Sequence, residues 1–416
     1  MPATSKEVLD AYAARSWRRQ VERLRERQME FVLGRREGAH VWNIEGTRRL
    51  LDCANSGGVH SLGHLHPEIV GALQAALTEG VDAGLWALPS TQLLAFQDAL
   101  AAMAPTASIC RSIVTCTSTQ SIDLAVMFAF RVTGRRKVVA FRHGYHGHGG
   151  YAALVTGSAD EGVLEHYSLP TQDTRFFADY GDLDAMRVLL REDCAAVILE
   201  PFNYETFQPA DPQFLPELEQ LCRACGALLI IDETRTGLSR SGRPWMTQHY
   251  TVQPDMLVLG KGLGGGIYPV SALLTTQAIY ERCMNAEKYG YLSSMGGNPL
   301  AAVVGAKVLE VTQRPALLAN VARIGQQVTA GFDGLCARYP RVFEPRAVLG
   351  GIATLGLVDP VLRSRIAGDL FARGVYCHSV SLIDPPVVKF FPTLTSDAAA
   401  VAELIAALDG VGAEHG

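Results

Sequence analysis

The chain has no apolar run of 18 or more residues and little excess of charge of either sign. Its 37 Lys and Arg residues stand against 42 Asp and Glu residues, which leaves a net charge of −5. We therefore expect no membrane-spanning helix and no nucleic-acid partner. The first seven residues contain no apolar signal core, from which we expect a cytoplasmic protein.

Cysteine is sparse, with nine residues scattered over a chain of 416. The odd number and irregular spacing are not those of a disulfide framework. Cys222 and Cys225 form a CxxC motif, but they fall in a predicted helix and have no second CxxC motif or histidine pair beside them. We therefore predict no metal site.

What the chain has in quantity is apolar sequence: 48% of its residues are hydrophobic and 19% are charged. This composition is typical of a well-buried globular protein, and the length allows one large domain and one smaller one. Between about residues 90 and 300, strand-like apolar runs alternate with helix-like stretches. The alternation predicts an α/β fold in which a mainly parallel sheet is covered by helices on both faces. The predicted strands are 112–116, 137–141, 195–199, 227–231, 256–259 and 270–274, and the predicted helices include 121–132 and 216–224.

The two ends of the chain have a different character. Arg- and Glu-rich residues from about 6 to 36 indicate a solvated helix, and residues 39–52 indicate a small hairpin. Near the C-terminus, strand-like runs at 351–357 and 387–391 precede an Ala-rich helix at 397–408. We therefore predict an N-terminal segment that belongs to a small domain, a large domain, and a C-terminal α/β part of the small domain, with the bounds 1–89, 90–314 and 315–416.

Two apolar runs end in residues that can do chemistry. Residues 228–231 lead into Asp232, and residues 256–259 lead through Gly260 into Lys261 and a glycine-rich turn. Ligands of parallel sheets bind at the carboxyl ends of the strands. Each residue alone is common in α/β enzymes, but the ordered pair is what pyridoxal phosphate requires: the lysine forms a Schiff base with its aldehyde, and the acid keeps its pyridine nitrogen protonated. A lysine buried in such a pocket should have a lowered pKa, which makes it a nucleophile and a base.

Four further segments suit the same cofactor. The segment 116–121 links a strand to a helix start, where hydroxyls and backbone N–H groups could hold a phosphate, although Ser and Thr are also ordinary N-caps. Tyr145 follows a predicted strand and could stack on a flat ring. Glu200 follows another strand, and residues 293–300 offer two hydroxyls and a glycine turn.

Together these segments resemble the class III, or ornithine/4-aminobutyrate-type, aminotransferases of pyridoxal phosphate fold type I. The resemblance runs from about Gly38 to Ala406. The run Tyr-His-Gly-His-Gly-Gly at 145–150 is most similar to the branch of glutamate-semialdehyde aminomutase and of aminoglycoside and amino-sugar aminotransferases. The anchors of the resemblance are 61–67, 145–148, 200–201, 232–237, Lys261 and 297–300.

The resemblance implies a role for each matched residue. Lys261 would form the Schiff base and move the substrate proton, Asp232 would pair with the pyridine nitrogen, and Tyr145 would stack on the ring. Ser294 would reach the phosphate of the neighbouring subunit, which implies a homodimer with its active site at the subunit interface. The implied cofactor-binding set is Ser118, Thr119, Tyr145, His146, Glu200, Asp232, Thr234, Lys261 and Ser294; the implied substrate-binding set is Trp86, Glu205 and Lys389.

Two departures from the family pattern concern the cofactor. The phosphate loop usually reads Ser-Gly-Thr-Glu-Ala, whereas residues 117–121 read Thr-Ser-Thr-Gln-Ser. Because Ser118 replaces the glycine, we expect its backbone to avoid positive φ. Thr234 stands where a valine usually packs on the cofactor face opposite Tyr145, and its hydroxyl could bind a water or a polar substrate.

A third departure concerns the substrate. Lys389 stands where the family has an arginine that commonly binds the substrate carboxylate. A lysine cannot provide the planar, bidentate fork of an arginine. We therefore expect a neutral or cationic amine, such as a primary amine on an amino sugar or an aminoglycoside in antibiotic biosynthesis, rather than an ordinary α- or ω-amino acid as the specific substrate.

Three functions remain open at this point. The first is a transaminase, which passes an amino group from a donor amine to a small carbonyl acceptor through Lys261. The second is an epimerase, aminomutase or eliminase that uses the same lysine. An epimerase needs a second proton donor, for which Cys116 and Cys53 are conceivable, although an inert buried cysteine is the ordinary interpretation of each. The third is a non-enzymatic relative, against which the joint presence of Lys261, Asp232 and Tyr145 argues.

Overall fold

The protein is described here by a computed structural model, which covers residues 4–84, 88–157, 174–203, 208–286, 290–377, 379–380 and 386–416. The chain divides into two compact units. The larger unit is Pro67–Leu318, and the smaller unit combines Met1–His66 with Ala319–Gly416. The sequence predicts boundaries after residues 89 and 314. The units divide after residues 66 and 318, because helix α3 (Pro67–Thr78) packs on helix α10 (Pro299–Thr312) within the larger unit.

The larger unit is built on a seven-stranded sheet with the order β4-β10-β9-β8-β7-β5-β6. Strands β5 to β9 pair in parallel, whereas β10 runs antiparallel to both of its neighbours, so the mainly parallel sheet of the prediction is a mixed one. The strands are β4 (Ile109–Thr115), β5 (Lys137–Phe141), β6 (Arg175–Ala178), β7 (Cys194–Leu199), β8 (Leu228–Asp232), β9 (Met256–Leu259) and β10 (Ser271–Thr276).

Burial explains why the central strands were visible in the sequence. Every residue of β7 and β9 is buried, and a continuous apolar run is what a parallel strand covered on both faces requires. The six predicted strands of this unit are present with ends that differ by up to three residues. β6 was missed, since its four residues Arg175–Ala178 are mostly half-buried and lack a continuous apolar run.

Helices complete the larger unit. α5 (Ser118–Thr133) begins after the N-cap Thr117, whose side chain accepts from the backbone N–H of Gln120, and it ends before the C-cap Gly134, which has a φ of 72°. Its buried face packs on the central strands. The other helices of this unit are α3, α4 (Thr91–Met103), α6 (Gly150–Val155), α7 (Leu183–Leu189), α8 (Phe214–Cys225), α9 (Gln277–Tyr280) and α10.

The smaller unit contains two four-stranded sheets, with the orders β1-β2-β3-β13 and β11-β12-β15-β14. The predicted hairpin is formed by β2 (His40–Asn43) and β3 (Arg49–Asp52). The other strands are β1 (Leu33–Glu37), β11 (Phe343–Leu349), β12 (Ile352–Leu357), β13 (Val375–Tyr376), β14 (Ser379–Val380) and β15 (Val387–Phe390). The helices are α1 (Ser5–Arg15), α2 (Arg18–Glu26), α11 (Pro315–Arg338), α12 (Leu362–Ala372) and α13 (Ala398–His415).

The prediction of one helix at residues 6–36 was wrong. The segment forms α1, α2 and β1, because the backbone leaves the helical region at Ser16, with φ of −139°, and again at Gln28, with φ of 55°. Across the part of the chain that the structure describes, no helix is both long enough and apolar enough to cross a bilayer.

Candidate active site

Asp232 and Lys261 lie at the same edge of the larger unit's sheet. Asp232 is the last residue of β8, and Lys261 follows the end of the adjacent parallel strand β9 by two residues. The register of the two strands places Asp232 opposite Val258. Main-chain pairing therefore brings the acid and the lysine of the sequence prediction to neighbouring carboxyl ends of the sheet.

The backbone at Lys261 is strained. Its φ is 44°, in the left-handed region that residues other than glycine rarely adopt. The preceding Gly260 is extended, and a Cβ added there would lie 2.9 Å from Ser118 Cβ and 3.2 Å from Ser271 Oγ. Conformations of this kind cost on the order of 1–3 kcal/mol and persist where the surroundings fix them, often at functional sites.

The pKa of Lys261 is lowered into the physiological range. Burial is the first cause and the positive charge of Arg235 the second, and together they lower the pKa of Lys261 to about 7, against the opposing effects of Glu200 and Asp232. The residue keeps some accessible surface, as one that reacts with a carbonyl compound must. A neutral amine in a protein pocket is both a nucleophile and a base.

Asp232 is held as a carboxylate by two partners. Its Oδ2 lies 2.9 Å from Nδ1 of His146, and its Oδ1 accepts from the backbone N–H of Thr234 at 3.0 Å. Burial by itself would raise the pKa of Asp232, but the hydrogen bond and charge of His146, with Thr234, hold that pKa below its ordinary value. The backbone at His146 is anchored as well, because its N–H donates to Thr156 Oγ1 at 2.9 Å.

Glu200 connects Tyr145 to Arg235. Its Oε2 accepts from the backbone N–H of Tyr145 at 3.3 Å, and its Oε1 lies 3.8 Å from Arg235 Nε. Cζ of Arg235 lies 5.2 Å from the centroid of the Tyr145 ring, within the range of a cation–π contact. Burial raises the pKa of Glu200, and the charge of Arg235 opposes that rise.

Arg235 is a residue of this site that the sequence analysis missed. The signal was present in the segment 232–237, where an arginine comes three residues after the predicted buried acid. A cation placed there must lie near the same sheet edge as Asp232.

Ser118 and Thr119 are the first two residues of α5. The first backbone N–H groups of a helix have no partner within the helix, which makes a helix start suited to a phosphate. Ser118 is absent from the positions with positive φ, as its replacement of a glycine led us to expect. Gly147 fits closely beside this turn, since a Cβ there would lie 2.5 Å from Thr119 Oγ1.

These residues fit pyridoxal phosphate. Lys261 offers a neutral amine for the aldehyde, Asp232 a carboxylate for the pyridine nitrogen, and the start of α5 N–H groups for the phosphate. The hydroxyl of Thr234 is buried beside Asp232 and helps to lower the pKa of that carboxyl group.

Residues 22–411 match the family described as aminotransferase class-III. The chain belongs to the class-III aminotransferase family. It is therefore an enzyme, and its cofactor is pyridoxal phosphate.

Three similar proteins show how far the likeness of this aminotransferase extends. An uncharacterized aminotransferase of Archaeoglobus fulgidus is 37% identical over 76% of this chain and 73% of its own length. The acetylornithine aminotransferase of Rhodobacter capsulatus is 30% identical over 92% of this chain and 95% of its own. The succinylornithine transaminase of Yersinia enterocolitica is 32% identical over 88% of each.

Solved structures show the same fold. The ornithine aminotransferase of Toxoplasma gondii superimposes with a TM-score of 0.85 over 99% of this chain and 96% of its own, at 23% identity. The N-acetylornithine aminotransferase of Stenotrophomonas maltophilia gives a TM-score of 0.78 at 25% identity, over 95% and 99%. The predicted fold type I architecture is confirmed.

The remaining predicted residues lie in several parts of the chain. Ser294 follows Ser293, whose hydroxyl closes a turn by accepting from the backbone N–H of Gly296 at 2.9 Å. Lys389 is a buried residue of β15 in the smaller unit. Trp86 and Glu205 lie outside the described residues. The two cysteines considered as proton donors differ, since Cys53 is buried in the smaller unit and Cys116 is half-buried in the larger one.

Proposed function

We propose that this enzyme transfers an amino group from an amino donor to the carbonyl of a small polar acceptor, with Lys261 carrying the reacting proton in both half-reactions. The observation that supports this most directly is the neutral amine of Lys261 at the sheet edge shared with the ionised Asp232. A base that must take a proton and return it works best with a pKa near the operating pH.

Bound pyridoxal phosphate supplies an aldehyde and an electron-accepting ring. The protein supplies the rest. Asp232, held by His146, would pair with the pyridine nitrogen, and the start of α5 would hold the phosphate. Tyr145 would stack on the ring, and Lys261 would take the substrate proton and return it.

For the acceptor, we propose a polar carbonyl compound whose amino product is an amino sugar or aminoglycoside. The support is Lys389, which stands at a position where the family commonly has a carboxylate-binding arginine and which cannot form a bidentate fork. The likeness of the 145–150 segment to amino-sugar aminotransferases points the same way. The names of two relatives favour a second candidate, an acylated ornithine.

We further propose that the enzyme acts as a homodimer in which Ser294 reaches the partner's cofactor phosphate. Ser294 lines a cleft of about 190 Å³ in the larger unit, together with Leu88 and Leu93. Leu88 and the nearby Leu292 are more than half exposed, and exposed apolar side chains around a cleft are typical of an interaction surface.

The test is a single-turnover absorbance experiment in ordinary and in deuterated water, with a panel of amines. The panel contains amino sugars, N-acetylornithine, N-succinylornithine and glutamate. Loss of the visible cofactor band to a stable pyridoxamine spectrum establishes transamination and ranks the donors. Deuterium in the recovered amine, with the band restored and no pyridoxamine, identifies an epimerase or mutase instead. A strong preference for the acylated ornithines would overturn the amino-sugar assignment alone.

A further inference from the structure

Arg235 is fixed in the wall of the Lys261 site by the loop that carries it. The neighbouring Glu233 is fully buried and accepts from Thr236 Oγ1 at 2.5 Å, from the backbone N–H of Met246 at 3.1 Å and from that of Thr247 at 2.6 Å. These bonds join the two ends of the loop, so the backbone at Arg235 has little freedom. A site residue held in this way can position its side chain accurately.

The guanidinium of Arg235 lies beside Glu200 and Tyr145. It is near Glu200 Oε1 at 3.8 Å and over the ring of Tyr145 at 5.2 Å. It is also the charged group with the largest effect on Lys261. The side chain is about one-tenth exposed, so its charge is poorly screened by water.

An amino-acid donor brings a carboxylate to the carbon that bears the reacting nitrogen. Glu200 and Asp232 are acidic groups close to Lys261, and in a buried site they would repel that carboxylate. A cation beside them removes the repulsion. A guanidinium has five N–H donors in a planar fork, so one side chain can contact more than one carboxylate.

We propose that Arg235 binds the carboxylate of the amino-acid donor and is the residue that makes the enzyme prefer donors with a carboxylate on the amine-bearing carbon. This inference rests on the proposed transamination. It assigns the donor's carboxylate to the larger unit, where Arg235 provides a planar guanidinium. It is consistent with an acceptor that has no carboxylate. The two substrates of one pocket would then differ in whether they engage Arg235.

The first test compares matched donor pairs, alanine with ethylamine and glutamate with 4-aminobutyrate, in single-turnover half-reactions. In Arg235→Gln, the rate constant divided by the dissociation constant should fall roughly 10- to 100-fold for the amino acids, the usual size for a lost charge-assisted hydrogen bond. Ethylamine, which has no carboxylate, should fall by a clearly smaller factor, because only the effect of Arg235 on the pKa of Lys261 reaches it. Arg187→Gln, which removes an exposed arginine of α7, is the matched control and should leave every donor unchanged.

The second test needs no turnover. Calorimetric titration of the cofactor-free protein with succinate should show binding in the wild type and in Arg187→Gln, and at least tenfold weaker binding in Arg235→Gln. Equal losses for amino acids and for ethylamine, or unchanged succinate affinity, would overturn the assignment. If no donor gives pyridoxamine even in the wild type, the proposed transamination is refuted. The succinate titration still tests whether Arg235 binds a carboxylate.

Arg235→Lys is a second variant, for the case that Arg235→Gln does not fold. It keeps the charge and loses the planar fork. The rate constant divided by the dissociation constant should therefore fall by an intermediate factor for the amino acids and stay unchanged for ethylamine. A lysine variant that matches the wild type for all donors would also count against a bidentate carboxylate contact.

Discussion

Nδ1 of His146 lies 2.9 Å from Oδ2 of Asp232, with both side chains almost fully buried. An ionised carboxylate only accepts hydrogen bonds, so Nδ1 carries the proton and its donation helps to keep Asp232 charged. The neighbouring Tyr145 faces Arg235. The dipeptide Tyr145-His146 therefore supplies both the aromatic ring that is proposed to stack on the cofactor and the imidazole that holds Asp232.

Loss of either partner of this pair should lower activity, but to different degrees. We expect Asp232→Asn to reduce the half-reaction rate at least 100-fold, because the ring loses its anionic partner. His146→Gln should reduce the half-reaction rate roughly 10- to 100-fold, the usual range for a supporting hydrogen-bond partner. Single-turnover absorbance measures both, and His249→Gln, at a half-buried histidine bonded to Ser241, is the control. A His146→Gln enzyme as slow as Asp232→Asn would mean that His146 has a direct role.

The pKa of Lys261 predicts how its reactivity depends on pH. An ordinary lysine is half neutral near pH 10.4. Since burial and Arg235 lower the pKa of Lys261 to about 7, its neutral fraction should rise through a midpoint near pH 7 and be nearly complete by about pH 9.

Competitive labelling of the cofactor-free protein with a neutral amine reagent, read out by peptide mass spectrometry, gives this profile. Lys307, a half-buried lysine paired with Glu310, gives the reference peptide against which the labelling of Lys261 is normalised. In Arg235→Gln the midpoint at Lys261 should move upward, because a positive charge has been removed. A midpoint for Lys261 near that of an ordinary lysine would contradict the electrostatic description of the site.

A methyl group at Gly260 should disturb the turn that carries the lysine. The added Cβ would lie 2.9 Å from Ser118 Cβ, so the start of α5 or the end of β9 must shift. We expect Gly260→Ala to weaken cofactor binding at least tenfold and to lower the free energy of unfolding by about 1–3 kcal/mol.

Gly334→Ala is the matched control for that variant. Gly334 lies within α11, and a Cβ there meets no atom within 4 Å. This substitution should leave cofactor affinity unchanged and raise the free energy of unfolding by up to about 1 kcal/mol, since alanine favours a helix interior. Cofactor titration and denaturant unfolding measure both variants. Equal cofactor affinity in the two would show that the contact with Ser118 is unimportant.

The proposed dimer predicts where a charge breaks the assembly. Leu292 is 52% exposed and lines a cleft with Leu93 and Ser293. If a partner subunit covers Leu292, Leu292→Glu would bury a charge in the interface. The molar mass measured by light scattering should then fall from that of a dimer to that of a monomer, and activity should be lost. Val188→Glu changes a comparably exposed apolar residue of α7, 65% exposed, and should remain dimeric. A wild-type protein that is monomeric at micromolar concentration would refute the proposal at once.

The sequence allowed prediction of those parts of the fold that rest on local pattern. Continuous apolar runs revealed β7, β8 and β9, and the residues at the ends of the last two proved to be neighbours because adjacent parallel strands end together. The antiparallel direction of β10 was not predictable, since strand pairing depends on contacts distant in the chain. The same applies to the role of His146, whose partner lies 86 residues away.

The register of β8 and β9 has an evolutionary consequence. Because Asp232 lies opposite Val258, main-chain hydrogen bonds of the sheet fix the spacing of the acid and the end of the strand that leads to the lysine. The loops can then diverge, gain residues or exchange an arginine for a lysine without moving the two reacting groups. New substrates can therefore be acquired by changes that leave the chemistry intact, which makes this scaffold a favourable starting point for laboratory redesign of donor range.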